Sequence, residues 1–250
     1  MIELEIFADY HTHTKYSHGK GTVLDNVAQA VKIGLEVVGI SDHGPAHMMG
    51  IGIKGLHILD RIRAEINTSM QLYPTVKVKL GAEANIISIE GDIDIPQEYQ
   101  DKLDFLQVGL HVMVRPLRWS DGLNRLSAHY LRGFSAGFSR KSRLLNTEAL
   151  INAVYRHKID IITHPHHRFN IDSKELARAC AQQNTAFEIN TSHRNMTVEL
   201  VELAANEGVD FVIGSDAHHP KRVGDFQYGV ALAKMAGLSV EQIRNARRLV

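Results

Sequence analysis

Seven short apolar segments alternate with stretches of helical periodicity along this 250-residue chain, and this alternation constrains the fold more than any other feature. The apolar segments are residues 2–8, 35–40, 76–81, 104–110, 159–163, 185–190 and 209–214. Strands and helices that repeat in this order are typical of a parallel sheet, and seven strands suggest a barrel-like closure. We therefore predict an α/β fold.

Start and stop signals place several of the intervening helices. One begins after Thr22 and ends at Gly34, and another ends at Gly208. A third begins after Asp172 with Glu175 three residues further on, which is the spacing of a capping box.

The chain has the organisation of one domain, residues 1–250, since no low-complexity linker divides it. A basic segment at about 113–146 interrupts the alternation and is too long for an ordinary connection between strand and helix. We interpret it as an insertion that covers the functional site. A solvated insertion with a short surface helix is the alternative.

Composition excludes several classes of function. Lysine plus arginine and aspartate plus glutamate number 28 each, so no net positive field attracts nucleic acid over the whole surface. The single cysteine, Cys180, rules out a disulfide framework or a multi-cysteine zinc site. The chain enters a strand pattern at once and has no long apolar run, so we expect a cytoplasmic protein without membrane contact.

The fifteen histidines are unusual in number, and their placement indicates a metal site. A polar, mostly metal-competent residue stands at the end of every predicted strand. In chain order these residues are His11, His13 and His18, then Asp42 and His43, then Glu83, His111, His164, Asn190, and finally Asp216 and His218. In parallel α/β folds and barrels the active site is built at this end of the strands.

The residue types predict more than one ion. Seven histidines, one glutamate and one aspartate exceed the needs of a single ion, so we predict two or three ions with a carboxylate such as Glu83 bridging. Imidazole and carboxylate ligands without thiolate suit zinc, manganese or iron. Asp42 is interpreted as a residue that orients His43 or a bound water, with a strand-end cap as the equal alternative.

These residues also carry a family resemblance. HTH at 11–13, His18, SDHG at 41–44, GAEAN at 81–85, GLH at 109–111, THP at 163–165 and SDAH at 215–218 resemble the motifs of the PHP (polymerase and histidinol phosphatase) family. They are most similar to its small stand-alone phosphatase-like branch. The resemblance runs from Asp9 to the helix after His218 and is absent in residues 115–146.

The resemblance implies a distorted (β/α)7 barrel, TIM-barrel-like, with a trinuclear cluster at the C-terminal ends of its strands. By this resemblance one ion would be held by His11, His13, Glu83 and Asp216. Glu83 would bridge to a second ion held by His111 and His164. A third ion would be held by His18, His43 and His218. The cofactor is expected to be three divalent ions, zinc first, with manganese or iron as alternatives.

The leading functional prediction is a metal-dependent phosphatase that hydrolyses a small phosphate monoester. Metal ions lower the pKa of bound water, so that hydroxide is available at neutral pH for direct attack on phosphorus. Arg168 and Arg115 are the candidates for clamping phosphate oxygens, and Arg118 is a further one, since guanidinium binds these oxygens in pairs.

Three alternatives stay open. The first is a phosphodiesterase or nuclease acting on nucleotides or nucleic acid ends. The second is an amidohydrolase-type barrel, which His18, His43 and His218 fit poorly. The third is a non-catalytic metal-binding regulatory module. No residue selects a particular substrate or an oligomeric state.

Overall fold

The computed structural model describes residues 4–120, 133 and 135–249. Its strands are β1 (Leu4–Ile6), β2 (Ala8–Asp9), β3 (Val37–Ile40), β4 (Lys77–Asn85), β5 (Phe105–Gly109), β6 (Ile161–Ile162), β7 (Ala186–Asn190), β8 (Phe211–Gly214) and β9 (Ala246–Arg248). Its α-helices are α1 (Val23–Lys32), α2 (Ile58–Leu72), α3 (Gln97–Gln100), α4 (Ala136–Arg156), α5 (Ser173–Gln182), α6 (Val198–Asn206) and α7 (Gln227–Met235).

Strands β2 to β8 form one seven-stranded sheet in chain order, and every neighbouring pair is parallel. Helices α1 to α6 occupy the connections between successive strands. The sheet is a nearly closed barrel, which confirms the predicted α/β architecture. Because all seven strands run in the same direction, their C-terminal ends meet at one face.

Two sets of contacts close the seam between β2 and β8. Above the strands, Thr12 and Ala217 form a parallel bridge, and the His13 amide donates to the Ala217 carbonyl at 2.9 Å. Within the seam, the buried Asn245 side chain accepts from the Ile213 amide at 3.0 Å. The same side chain donates to the carbonyls of Ile213 and Ala8, at 2.8 and 2.7 Å. The Asn245 side chain thus supplies hydrogen bonds between β2 and β8, two strands that do not pair directly.

Aromatic rings fill the barrel below its C-terminal face. Phe105 packs edge-on against Tyr10, with ring centroids 5.5 Å apart. A Cβ atom added at Gly81 or Gly39 would lie only 2.2 or 2.6 Å from the Phe105 ring. Glycine is required at both positions because the ring approaches the backbone of β3 and β4 so closely.

The helix boundaries agree with the start and stop signals. Thr22 and Asp25 form a reciprocal capping box at the start of α1. Asp172 accepts from the Glu175 amide at the start of α5, as its spacing predicts. Gly208, with φ of +88°, follows α6 in the left-handed conformation that glycine adopts without strain. In the part of the chain that the structure describes, no helix has both the length and the apolar character needed to cross a membrane.

Two of the predicted strands differ from the observed ones. Residues 2–8 are not one strand: β1 pairs antiparallel with β9, and only β2 joins the barrel. The chain changes partner at Phe7, whose carbonyl accepts from the amides of Glu36 and Val37. The strand predicted at 76–81 continues as β4 to Asn85, so Glu83 lies inside a strand and not after it.

The predicted insertion at about 113–146 ends inside a helix. Residues 136–146 are the first half of α4, and Ser142 and Asn146 are already buried on it. The Asn146 side chain donates to the Asn170 carbonyl at 3.1 Å, which ties this half of α4 to the barrel. Residues 121–132 and 134 lie outside the described residues, so the proposed cover over the site stays a prediction.

Candidate metal centre

The candidate ligands converge at the C-terminal face of the barrel. Every one of the nine ligands predicted from the sequence lies close to at least one other. They are His11, His13, His18, His43, Glu83, His111, His164, Asp216 and His218. The convergence follows from the topology, because parallel strands deliver these residues to one face.

The carboxylate of Glu83 lies at the centre of the cluster. Its Oε2 atom is 2.8 Å from His43 Nδ1 and 3.4 Å from His11 Nε2. Its Oε1 atom is 2.8 Å from His164 Nε2 and 3.2 Å from His111 Nε2. The two oxygens therefore face different groups of histidines, which is the arrangement of a bridging carboxylate.

Asp216 gathers a second set of histidines. Its Oδ1 atom is 3.2 Å from His13 Nε2, 3.3 Å from His218 Nδ1 and 3.6 Å from His11 Nε2. The ring of His18 lies 4.1 Å from that of His218, centroid to centroid. The first and the last ligand segments of the chain thus share one side of the cluster.

The donor set fits divalent metal ions. Four triplets have ligand atoms within 4.8 Å of one another: His11–His13–Glu83, Glu83–His111–His164, His13–His43–His218 and His43–His47–His111. Ring nitrogens such as Nε2 of His11, His13 and His111 are buried and lack hydrogen-bond geometry toward any described residue. Unpaired buried polar atoms cost roughly 1–3 kcal/mol each, a cost that coordination removes. Imidazole with carboxylate suits zinc, manganese or iron.

Burial and local charges keep several candidate ligands in forms that bind metal. Burial lowers the pKa of His13 to about 3 and lowers the pKa of His43 well below its ordinary value. Burial would raise the pKa of Glu83, but the surrounding histidines outweigh it and hold that pKa well below its ordinary value. The pKa of Asp216 is lowered in the same way. Neutral imidazoles and ionised carboxylates are the forms that coordinate metal.

Glu188, in the middle of β7, positions two of the candidate ligands. Its Oε1 atom lies 2.6 Å from His11 Nδ1, and its Oε2 atom accepts from the His164 amide at 2.8 Å and from Asn190 Nδ2 at 2.9 Å. Burial disfavours a charged His11, but Glu188, with Asp216 and Glu83, outweighs burial and raises the pKa of His11 well above its ordinary value. A carboxylate behind a metal-binding imidazole fixes its tautomer and orientation.

Sequence reasoning missed Glu188, although a signal was present. The segment AFEIN forms β7, and every residue in it is buried. An acidic side chain inside a fully buried strand needs a partner, because an unpaired buried charge is costly. Asn190, two residues further along, also stands inside β7, not after it, and donates to Asp216 Oδ2 at 3.2 Å.

The backbone at two ligands is strained in a way that aims their side chains. His164 and Asp216 are the second residues after the ends of β6 and β8 and have φ of +29° and +50°. Non-glycine residues pay about 1–2 kcal/mol for this region, and such outliers concentrate at functional sites. Arg168, with φ of +61°, shares the feature on the same loop as His164.

Asp42 does not line the cavity beside the cluster, and it organises the first ligand loop. Its buried carboxylate accepts from the Thr14 amide at 2.7 Å, from the Thr14 hydroxyl at 2.6 Å and from the Ser17 hydroxyl at 2.5 Å. Ser17 directly precedes His18, so these bonds fix the segment that carries this ligand. None of these contacts reaches His43, and both sequence interpretations of Asp42 stay predictions.

A cavity of about 510 Å³ opens onto the cluster. Arg168 and Lys20 line it together with an apolar wall that includes Phe169, and the rings of His167 and His193 stack 3.8 Å apart at its edge. Among the described residues, Arg115, Arg118 and Asp42 do not line this cavity. Arg115 lines a separate cavity, and Arg118 lies 3.4 Å from Glu90.

Comparison with known protein families gives the assignment. The PHP domain model matches residues 9–229. The chain belongs to the PHP family. The match spans all nine candidate ligands and runs from the last residue of β2 past the end of β8, so the family assignment and the observed geometry concern the same site.

Two curated PHP-type relatives carry the name "Probable phosphatase". One, from Aeromonas hydrophila, is 30% identical over an alignment 259 positions long. This alignment covers 97% of this chain and 91% of that protein. The other, from Thermoanaerobacter sp., has the same identity and the same coverage.

A solved structure shares the fold. Histidinol phosphate phosphatase from Lactococcus lactis, complexed with zinc, L-histidinol and phosphate, gives a TM-score of 0.65 at 18% identity. The alignment covers 94% of this chain and 95% of that chain. At this identity the likeness supports the barrel fold.

Proposed function

We propose that this PHP-family chain is a metal-dependent phosphatase that hydrolyses a small phosphate monoester at a centre of three divalent ions. The observation that carries the proposal is the position of Glu83, whose two oxygens face different histidines at 2.8–3.4 Å. A carboxylate whose two oxygens face different sets of ligands can bridge two ions, which supports a polynuclear site.

The residues that would hold the ions follow the family pattern. His11, His13, Glu83 and Asp216 would hold one, and Glu83 with His111 and His164 a second. His18, His43 and His218 would hold the third. When bound, such ions supply an activated water at neutral pH and positive charge for the phosphoryl oxygens. Zinc is the first candidate, because the donors are mainly imidazole nitrogens.

The cavity supports a small substrate. A volume of about 510 Å³ lies within the range of small-molecule sites, about 300–1,000 Å³. Arg168 and Lys20 line it and would offer cationic donors to phosphate oxygens. The apolar wall with Leu110 and Phe169 would exclude water from the leaving group.

The relatives named "Probable phosphatase" support the phosphatase class. The L-histidinol and zinc in the Lactococcus lactis complex belong to that protein. We propose no specific metabolite, because Phe169, Arg168 and the other cavity residues fit the phosphate and an apolar group without selecting one molecule.

The test compares an aryl phosphate monoester with the matching diester, using metal-loaded protein and a His164→Ala variant as the control for contaminating activity. The proposal expects faster turnover of the monoester, lost in the variant. Faster diester turnover would instead support the phosphodiesterase alternative. Bound metal without turnover of either ester would support a binding module.

A further inference from the structure

His47 lies among the candidate ligands although the family pattern gives it no role. Its ring centroid is 5.0 Å from that of His43 and 5.1 Å from that of His111. His43, His47 and His111 each have a ring nitrogen that lies within 4.8 Å of a ring nitrogen of the other two. Its Nδ1 atom is buried and makes no hydrogen bond of ordinary geometry with the described residues.

The backbone holds His47 at this place without help from its side chain. His47 forms an antiparallel bridge with Val114. On either side of the bridge, the Met48 amide donates to Met113 at 2.7 Å and the Arg115 amide donates to the Ala46 carbonyl at 2.9 Å. The segments that follow His43 and His111 thus pair with each other above the cluster, and His47 points back from this pairing.

Buried contacts fix the loop that carries His47. The Ala46 amide donates to the buried Asp94 carboxylate at 2.8 Å, and the Ile53 amide donates to the His43 carbonyl at 3.0 Å. A Cβ atom at Gly52 would lie 2.1 Å from the Gly44 carbonyl oxygen and 3.2 Å from His47 Cβ, so the loop closes tightly only with glycine there. A preorganised backbone of this kind is what a ligand side chain requires.

We propose that His47 is a further metal ligand of the proposed centre, where it would share an ion with His43 or with His111, its partners in this triplet. The proposal rests on the proposed metal centre, because the family pattern assigns those two partners to different ions and His47 to none. An added imidazole ligand favours zinc, cobalt, nickel or copper over magnesium or calcium. The ion at this site would also tie the paired segments 45–48 and 113–115 to the cluster.

The alternative role for His47 is a substrate contact, since it lines the cavity as well. The two roles differ in what they do without substrate. A ligand changes the binding of metal to the free protein, whereas a substrate contact changes KM alone and leaves metal binding unaltered.

The test titrates metal-depleted protein with Co²⁺ and follows the visible absorption of the bound ion. The variant is His47→Gln, and the matched control is His57→Gln, an exposed histidine whose side chain makes no capping hydrogen bond at α2. For His47→Gln we expect one Co²⁺ per chain to be lost or to need at least about tenfold more free metal, with an altered spectrum. The control should match the unmodified protein in both respects.

Equal Co²⁺ content, affinity and spectrum in His47→Gln would overturn the inference while leaving the proposed function intact. An unmodified protein that binds no Co²⁺ would overturn both. Should His47→Gln fail to fold, chemical modification of the unmodified protein decides. His47 should become protected from diethyl pyrocarbonate when Co²⁺ is added, while His57 stays reactive; continued reactivity of His47 would refute the assignment.

Discussion

At the scale of single residues, the site is ordered by acidic side chains that touch histidines. Glu83 lies between the ligands, and Glu188 lies behind them, 2.6 Å from the outer nitrogen of His11. Glu83 would bind metal together with the histidines around it. Glu188 would hold the His11 imidazole and the His164 backbone amide in place. The two acids therefore predict different losses when they are changed.

Glu188→Gln should weaken metal binding without unfolding the protein. The amide keeps the size of the side chain but loses the charge that pairs with His11, and loss of such a partner typically costs about 10–100-fold in metal affinity. Competition with a chelator measures the affinity, and circular dichroism checks the fold. The same substitution at exposed Glu202 is the control. Unaltered affinity in Glu188→Gln would show that His11 needs no such partner.

Arg168→Ala should lower kcat/KM for the monoester by roughly ten- to a hundredfold, the value of one or two charge-assisted hydrogen bonds. Metal content should stay unchanged, because Arg168 lines the cavity and makes no contact with the cluster that is described. Steady-state kinetics with metal analysis tests this. Arg118→Ala, which removes an exposed arginine beside Glu90, should leave the rate unaltered. An equal loss in both variants would speak against a phosphate clamp at Arg168.

The convergence of the candidate ligands was predictable at this scale for a topological reason. Residues after successive parallel strands must meet, so His11, His43 and His164 could be grouped before any coordinates. Glu188 and His47 could not be placed so simply, because one lies within a strand and the other within a loop. Arg115 was predicted at the site, but its backbone pairs with Ala46 and its side chain lines another cavity.

At the scale of secondary-structure elements, the weakest part of the barrel is the seam between β2 and β8. β2 has only two residues and pairs with β3 alone in the sheet. Asn245 spans the gap through bonds to Ala8 and Ile213. The bridge from Thr12 to Ala217 lies above it, directly beside the candidate ligands. Closure of the seam therefore places the first and last ligand segments together.

Asn245→Ala should destabilise the protein by at least about 2 kcal/mol. The substitution leaves three buried backbone groups without their partner, and each unsatisfied group costs about 1–3 kcal/mol. Urea unfolding measures the free energy. Asn67→Ala, on the exposed face of α2, is the matched control and should change stability by less than about 0.5 kcal/mol. Equal stability of the two variants would mean that the seam relaxes without cost.

The elements themselves were largely predictable, since buried parallel strands read as continuous apolar runs. Each of the seven runs overlaps a strand of the barrel, although the first run reaches β2 only at Ala8. The pairing of β1 with β9 was not predictable, because it depends on the two ends of the chain meeting in space. Arg247, which bonds to Glu5 across that pair, gives no apolar pattern to detect. The end of β4 was missed because Glu83 and Asn85 interrupt the apolar pattern.

At the scale of the whole molecule, the cluster ties stability to metal. Histidines that follow β2, β3, β5 and β6 meet two buried carboxylates at one end of the barrel, and several of their nitrogens lack hydrogen bonds in the described structure. Ions that bind only the folded chain would stabilise it by mass action. Bound metal should therefore be needed both for full stability of the fold and for the proposed activity.

Added Zn²⁺ or Mn²⁺ should raise the midpoint of thermal unfolding of metal-depleted protein. Each independent site contributes about 2.7 kcal/mol when free metal exceeds its Kd about a hundredfold. Differential scanning calorimetry across a metal series measures the effect. Mg²⁺ is the control, since a histidine-rich site favours it poorly. A midpoint that does not respond to any of these ions would contradict a metal-binding cluster.

The most direct measurement of the central claim follows monoester hydrolysis through metal removal and return. Protein is stripped with a chelator, assayed, and then reloaded with Zn²⁺ or Mn²⁺ while metal per chain is counted. The account predicts no turnover in the stripped, folded protein and recovery that tracks the metal bound, up to three ions per chain. Full turnover in the stripped protein, or a folded protein that takes up no metal, would contradict it.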